Sequence, residues 1–275
     1  MRTKIWKLAM RAGAALLLLL AATGMNACAF PGFGNSVSWK EEVQLHDGRK
    51  ILVERSQKHK GRHELGQPVP IGDHWITFTI PGSKESITWE DDYSQDVGMA
   101  NFIMLALHIL NDTPYIITSP VGCLGYNKWG RPNPPYVIFK YDGKEWQRIT
   151  LSELPVELKE INLAIDTYND EEKLLAQGLV SAELIKKLNS SYSKYLNIYL
   201  EYQSILRTPL ETGKNSASNV DCEVMIRNEK NDGWRGFDMR SIHSYDECLE
   251  KCRVEKISEQ FCPCDNLLKT KPEWR

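Results

Sequence analysis

Between residues 39 and 150 the apolar positions fall in short bursts with a period of two, separated by turn residues. In HWITFTI, Ile76, Phe78 and Ile80 alternate with Trp75, Thr77 and Thr79, and Pro81-Gly82 ends the run. That is the pattern of a strand with one buried face. SITWED follows as a short strand after a turn at Gly82-Ser83-Lys84. QLHDGRKILVER and YVIFKYDGKEWQRI each carry Asp-Gly between strand-like runs, at Asp47-Gly48 and Asp142-Gly143, the signature of two-residue hairpins. PYIITSP is β-branched and bounded by prolines, a further strand. FIMLALHIL is a nine-residue, mainly apolar run that periodicity assigns to neither strand nor helix. Several short strands with regular turns predict an antiparallel sandwich or a partly closed barrel.

The period changes after residue 150. Asn169 and Glu172 have the spacing of a capping box, and Gly178 reads as a helix stop. From Ser181 to Leu206, Leu184, Leu188, Tyr195, Tyr199, Tyr202 and Leu206 recur on one helical face, and Pro209 ends the run. The stripe reads first as a packing face, and a partner-binding stripe is the alternative. Residues 211–220 form a polar linker, and a cysteine-rich tail follows. The expected class is α+β: a β-rich domain at 39–150, a helical segment at 151–210 and a tail at 211–275.

The N-terminus has a different logic. Arg2, Lys4, Lys7 and Arg11 precede an apolar stretch from Ala12 to Ala22, which is too short to span a membrane with such flanks. Small residues Thr23, Gly24 and Ala27 follow, so residues 1–27 read as a signal peptide. Met25-Asn26-Ala27-Cys28 resembles the lipobox of bacterial lipoproteins. The resemblance implies a diacylglycerol on Cys28 and acylation of its new amine, an anchoring that is effectively stable. Ala29, where an aspartate would signal retention, implies the outer membrane, with the protein facing the periplasm. Residues 28–38, rich in Gly, Pro and Ser, read as a tether from the lipid to the fold.

The whole chain carries 34 Lys and Arg against 36 Asp and Glu, a net charge of −2. Loss of the leader removes four positive charges and no negative ones, taking the exported form to −6. That balance argues against a nucleic-acid partner, which would call for a basic stripe. The membrane is therefore expected as a partner only through the lipid.

An exported chain admits disulfides. With Cys28 lipidated, six cysteines are left: Cys123, Cys222, Cys248, Cys252, Cys262 and Cys264. Ser244 and Glu247 mark a helix start that sets Cys248 and Cys252 on one face. Cys262-Pro263-Cys264 reads as an extended segment with both sulfurs on one side. Two pairs aimed the same way suit a double staple, leaving Cys123 with Cys222. Six cysteines allow 15 connectivities, so the pairing is a hypothesis. A zinc site of Cys248, Cys252, Cys262 and Cys264 is the weaker alternative in an oxidising compartment. C-x-C is not the C-x-x-C of thiol oxidoreductases. Cys222 followed by SYDECLEKC resembles the cysteine-bearing helix of apple/PAN modules, which implies a protein or glycan ligand.

The densest unusual stretch is GCLGYNKWGRPNPPY, residues 122–136. Tyr126, Trp129 and Tyr136 stand there beside Arg131 and Asn133, a set able to hold a sugar ring or a protein partner. An Ω-like loop packed by its own aromatics is the other reading. Glu90, Asp91, Asp92 and Asp96 lack the spacing of a calcium loop and read as a solvated turn. The six histidines form no H-E-x-x-H or H-x-H metal spacing, and no nucleophile elbow or phosphate loop is present. No cofactor is expected and no catalytic residue emerges. The sequence therefore points to a lipid-anchored binding or interaction protein, with a periplasmic hydrolase or cell-wall enzyme as the alternative.

Overall fold

The computed structural model describes residues 36–195, 200–211, 213, 218–227 and 233–270. Four strands, β1 (Ser36–Gln44), β2 (Lys50–His59), β3 (Ile71–Thr79) and β4 (Ser86–Asp91), make one antiparallel sheet in chain order. Four more, β5 (Phe102–Leu110), β6 (Thr113–Pro120), β7 (Val137–Tyr141) and β8 (Trp146–Ile149), make a second. The expected α+β class is observed, and these sheets are open, so the architecture is a sandwich rather than a barrel. FIMLALHIL is a strand because it is β5, apolar on both faces of a sheet that is covered on both sides.

The first core lies between the sheets. Val43, Val53, Ile76, Phe78, Ile87 and Trp89 of the first meet Phe102, Met104, Leu107, Ile109, Ile116 and Val137 of the second. The second core lies on the outer face of the second sheet, where Leu105, Ala106, Tyr115, Ile117 and Ile138 are covered by Leu154, Leu158, Ile165, Tyr202 and Ile205. A bulge between Met104 and Ala106 turns both Leu105 and Ala106 to that outer face. The bulge carbonyl of Leu105 accepts from the backbone of Asn162 and Leu163. Asn162 then donates to Gln44 and Leu107 carbonyls and accepts from Leu107 N–H. One side chain thus closes the free edges of both sheets. Val180 does the same for β1, bonded to Lys40 and Glu42.

Several boundaries differ from the sequence reading. Ser36 to Ser38 belong to β1 rather than to the tether. The first hairpin closes with Leu45 bonded to Arg49, so its loop has three residues, with Gly48 at φ 85°. In the second hairpin Asp142 bonds Glu145, and its carboxylate accepts from the amides of Lys144 and Glu145. Asp142 therefore flanks that turn instead of occupying it. The described part of residues 151–210 is mainly irregular, with the short helix α2 (Glu171–Leu175) and the longer α3 (Ala182–Tyr195). The N-cap of α2 is Asp170, and Asn169 instead donates to Asp166. The expected helix to Leu206 does not form as one piece, since Leu200–Tyr202 is a 3-10 turn. The Tyr136 hydroxyl donates to carbonyls of Glu201 and Ser204, and Ile205 bonds Lys159, which holds the chain in this path. Tyr202 and Leu206 still pack, against the second sheet.

The tail has its own small core around Ile226, Phe237, Ile242 and Leu267. It carries a two-stranded ribbon, β9 (Met225–Arg227) and β10 (Trp234–Gly236), and helices α4 (Tyr245–Val254) and α5 (Cys264–Thr270). Disulfides join Cys248 to Cys264, Cys252 to Cys262 and Cys123 to Cys222. The expected double staple between α4 and the C-x-C segment forms, and so does the expected Cys123–Cys222 bond. The C-x-C segment is not a strand, however: Cys262 closes a 3-10 turn and Cys264 opens α5. Ser244 caps α4 by accepting from Glu247 N–H, while the Glu247 carboxylate reaches back to His243 N–H instead of Ser244. The described residues from Ser36 to Thr270 belong to one compact unit.

Candidate functional site

The inner face of the first sheet changes character along its strands. Cross-strand partners on that face form rows. Val53, Phe78 and Ile87 make one row, and Arg55, Ile76 and Trp89 the next. One step further, Gln57, His74 and Asp91 are paired directly. The pleat therefore points a guanidinium, an amide, an imidazole and a carboxylate into the interior. Phe102 and Met104 of the opposing sheet reach this end, and residues 164–171 cover the rest of it through bonds to its side chains.

Asp91 is the hub. Its carboxylate accepts from the backbone N–H groups of Asn101 and Phe102 at 2.8 Å, from the Asn101 amide at 2.7 Å and from His74 Nε2 at 3.0 Å. His74 and Asp91 are both 4% exposed. With Nε2–H given to Asp91, Nδ1 is the remaining ring nitrogen, and it has no partner among the described residues. The Asn101 oxygen accepts from Lys128 at 2.9 Å and from the Trp129 indole at 3.3 Å, which fixes the amide's orientation.

Arg55 is 2% exposed and pairs with the fully buried Glu41 at 3.2 Å through Nη1, which also donates to the Ala164 carbonyl at 2.9 Å. Trp39 donates to the same Glu41 oxygen at 2.7 Å and lies 5.4 Å from the guanidinium. Burial pushes Arg55 down from its ordinary range and Glu41 opposes that shift. Arg55 Nε is buried with no hydrogen-bond partner. A buried donor left unpaired in this way calls for an explanation. Further along, His59 meets Glu171 at 2.6 Å and the Val69 carbonyl at 2.9 Å, and Gln57 donates to the same Glu171 oxygen. Burial lowers His59, but Glu171 and the carbonyl outweigh it and hold the ring above its ordinary value.

Arg55 and His74 line a cavity of about 240 Å³. Its other walls include Ile71, Met99, Phe102, Ile103, Met104, Ile165, Thr167 and Tyr168. A mainly apolar cavity with a few convergent polar groups is the usual form of a small-molecule site. A larger groove of about 620 Å³ runs beside Gln44–Gly48 and α3. Its amides Asn162 and Asn189 already bond backbone groups, which leaves that groove less to offer a ligand.

The loop singled out from the sequence serves the interior. Gly122–Lys128 is the short helix α1, and Tyr126 is 1% and Tyr136 5% exposed. Burial pushes the Tyr126 hydroxyl up to about 12 and also raises Tyr136. Arg131 lies 4.9 Å over the Tyr126 ring and donates to carbonyls of Cys222 and Glu223. Asn133 exchanges two bonds with the Leu210 backbone. Trp129 packs at a tilt against Phe102 with centroids 4.5 Å apart. As a binding surface the stretch is corrected: Tyr126, Arg131 and Tyr136 are inside, holding the tail and the 201–206 segment to the sandwich. Trp129 alone of the five reaches the buried row, through Asn101. The acidic stretch is corrected too, since Asp91 is an interior group, and Asp96 pairs with Arg227 at 3.0 Å. The four tail cysteines form disulfides, which removes the zinc alternative. Cys28 and the leader lie outside the described residues.

Comparison with protein-family models, with curated proteins and with solved structures returned no match. The site therefore has to be read from its own residues. Sequence reasoning missed Arg55, Gln57, His74 and Asp91, yet a signal was present. His74 is in phase with Ile76 and Phe78, Asp91 with Ile87 and Trp89, and Arg55 and Gln57 with Val53. Polar residues at core-facing positions of a strand mark either an error or a function.

Proposed function

We propose that this protein is an exported, lipid-anchored binding module whose ligand site is the cavity beside Arg55 and His74. One observation carries the reading: an apolar cavity is backed by a buried polar row whose side chains are already oriented by protein partners. Such preorganisation lowers the entropy lost on binding. Support for export comes from the basic and apolar leader and from six cysteines that pair completely, leaving Cys28 for the lipid. The anchor is tested by Cys28→Ser, which should move the protein from the membrane fraction to the soluble one; continued detergent-dependent retention would refute it. The site is tested by NMR of methionine methyls, since Met99 and Met104 line the cavity. Small apolar molecules should shift those two signals, and silence across a panel would remove the cavity as the site.

A hydrolytic reading is favoured by the His74–Asp91 pair. It is weaker because neither a serine nor a cysteine lines the cavity among the described residues. Turnover of ester probes that is lost in His74→Asn would reverse the order of the two readings.

A further inference from the structure

The open question at this site is what completes Arg55. Of its three nitrogens, Nη1 carries both hydrogen bonds found among the described residues, and Nε is buried without one. The Nε and Nη2 edge of a guanidinium presents two parallel N–H groups, the geometry that matches the two oxygens of a carboxyl group. On the sheet, Arg55 is paired with Ile76 and His74 with Gln57. Arg55 and His74 are therefore diagonal neighbours on one face, with Cα atoms roughly 7–8 Å apart. A small group between them would meet Arg55 on one side and the bare His74 Nδ1 on the other. The remaining wall is apolar: Ile71, Met99, Phe102 and Met104.

We propose that the cavity takes a small, mainly apolar monocarboxylic acid, its carboxyl group held between the Arg55 guanidinium and His74 Nδ1. This inference rests on the binding reading above and narrows it to one ligand class. Charge balance supports an acid that keeps its proton within the complex. The ionisable groups facing His74 are Asp91 from β4, Arg55 from β2, and Asp166 and Tyr168 from the covering segment. Glu41 already balances Arg55, so a bare anion would add an uncompensated charge to an enclosed wall. When the acid's proton rests on Nδ1, no net charge enters. The carboxylate then faces Arg55 and the imidazolium, while Asp91 takes Nε2–H as before. The cavity of about 240 Å³ is below the roughly 300–1,000 Å³ of drug-sized sites, which favours a short chain or a single ring.

The test uses the oxidised full-length protein with labelled methionine methyls, titrated with hexanoate, hexanamide and 1-hexanol. Hexanoate should move the Met99 and Met104 signals with an affinity at least tenfold above that of the amide or the alcohol. Arg55→Lys retains the positive charge beside Glu41 and loses the fork, so it should erase the preference for hexanoate over hexanol. Should the amide or the alcohol bind as tightly as the acid, the acid assignment is overturned while the binding reading stands. Should none of the three shift either methionine, both fall.

Discussion

The two ends of the inner face of the first sheet share one pleat and one phase, yet they are built on opposite principles. At one end Phe78, Ile87 and Val53 meet a second sheet whose own backbone is already paired. Only apolar surface is needed there. At the other end part of the cover is irregular chain, which brings unpaired backbone groups inside. Ala164 and Thr167 carbonyls must find donors, and the Ala164 N–H must find an acceptor. Arg55, Gln57 and Glu41 supply them. The contrast teaches that what covers a sheet decides which side chains its inward positions can carry, because buried backbone groups must be paired.

The contrast can be broken at either end. Phe78→Ala should lower unfolding stability by about 3–5 kcal/mol through lost burial and a cavity. Glu41→Leu should cost a similar amount, because it strands the Arg55 charge. The ends then differ in rescue: adding Arg55→Met should recover most of the loss at the polar end, whereas Phe78→Ala has no partner whose removal would restore it. Urea unfolding of the two singles and the double decides this, and no recovery in the double would refute the pairing account.

A second comparison sets two histidines against each other. His108, on the covered outer face of the second sheet, bonds only the Glu160 carbonyl, and burial lowers it to about 4. Its folded value is below the unfolded one, so its contribution is full above about pH 6.5 and is lost as pH falls toward 4. That loss is on the order of 3 kcal/mol. His59 is raised, mainly by Glu171, so its contribution is present at low pH and fades as pH rises through its folded value. Urea midpoints measured from pH 7.5 to 4 should flatten on the acid side in His108→Asn. In Glu171→Gln the neutral side should change instead.

Smaller effects probe how the elements are joined. Asn162→Ala should cost about 1–3 kcal/mol, since it leaves groups on β1 and β5 without their partner. Ser244→Ala should cost about 1 kcal/mol, the usual value of a lost N-cap, read as a lower melting temperature.

Strand positions were legible because period-two patterning survives burial of one face, as in HWITFTI and SITWED. The double staple was legible because Ser244 fixes the phase of Cys248 and Cys252. The path of residues 200–206 was not, because a tyrosine stripe looks the same whether a helix continues or a distant hydroxyl such as that of Tyr136 bonds its carbonyls. The loop at 122–136 misled for a related reason. Aromatics and an arginine among glycines mark a surface that meets something, and here that surface meets the chain's own tail. The buried row was half legible, since its residues keep core phase, but the cover that makes them necessary lies more than 70 residues away in sequence.

Cys123 and Cys222 are 99 positions apart, and their bond turns the stretch between them into a covalent ring. The two tail bridges nest a smaller ring within another. A protease that cuts once between residues 123 and 222 therefore separates nothing. On a non-reducing gel the nicked chain should run as one molecule, and only reduction should release two pieces.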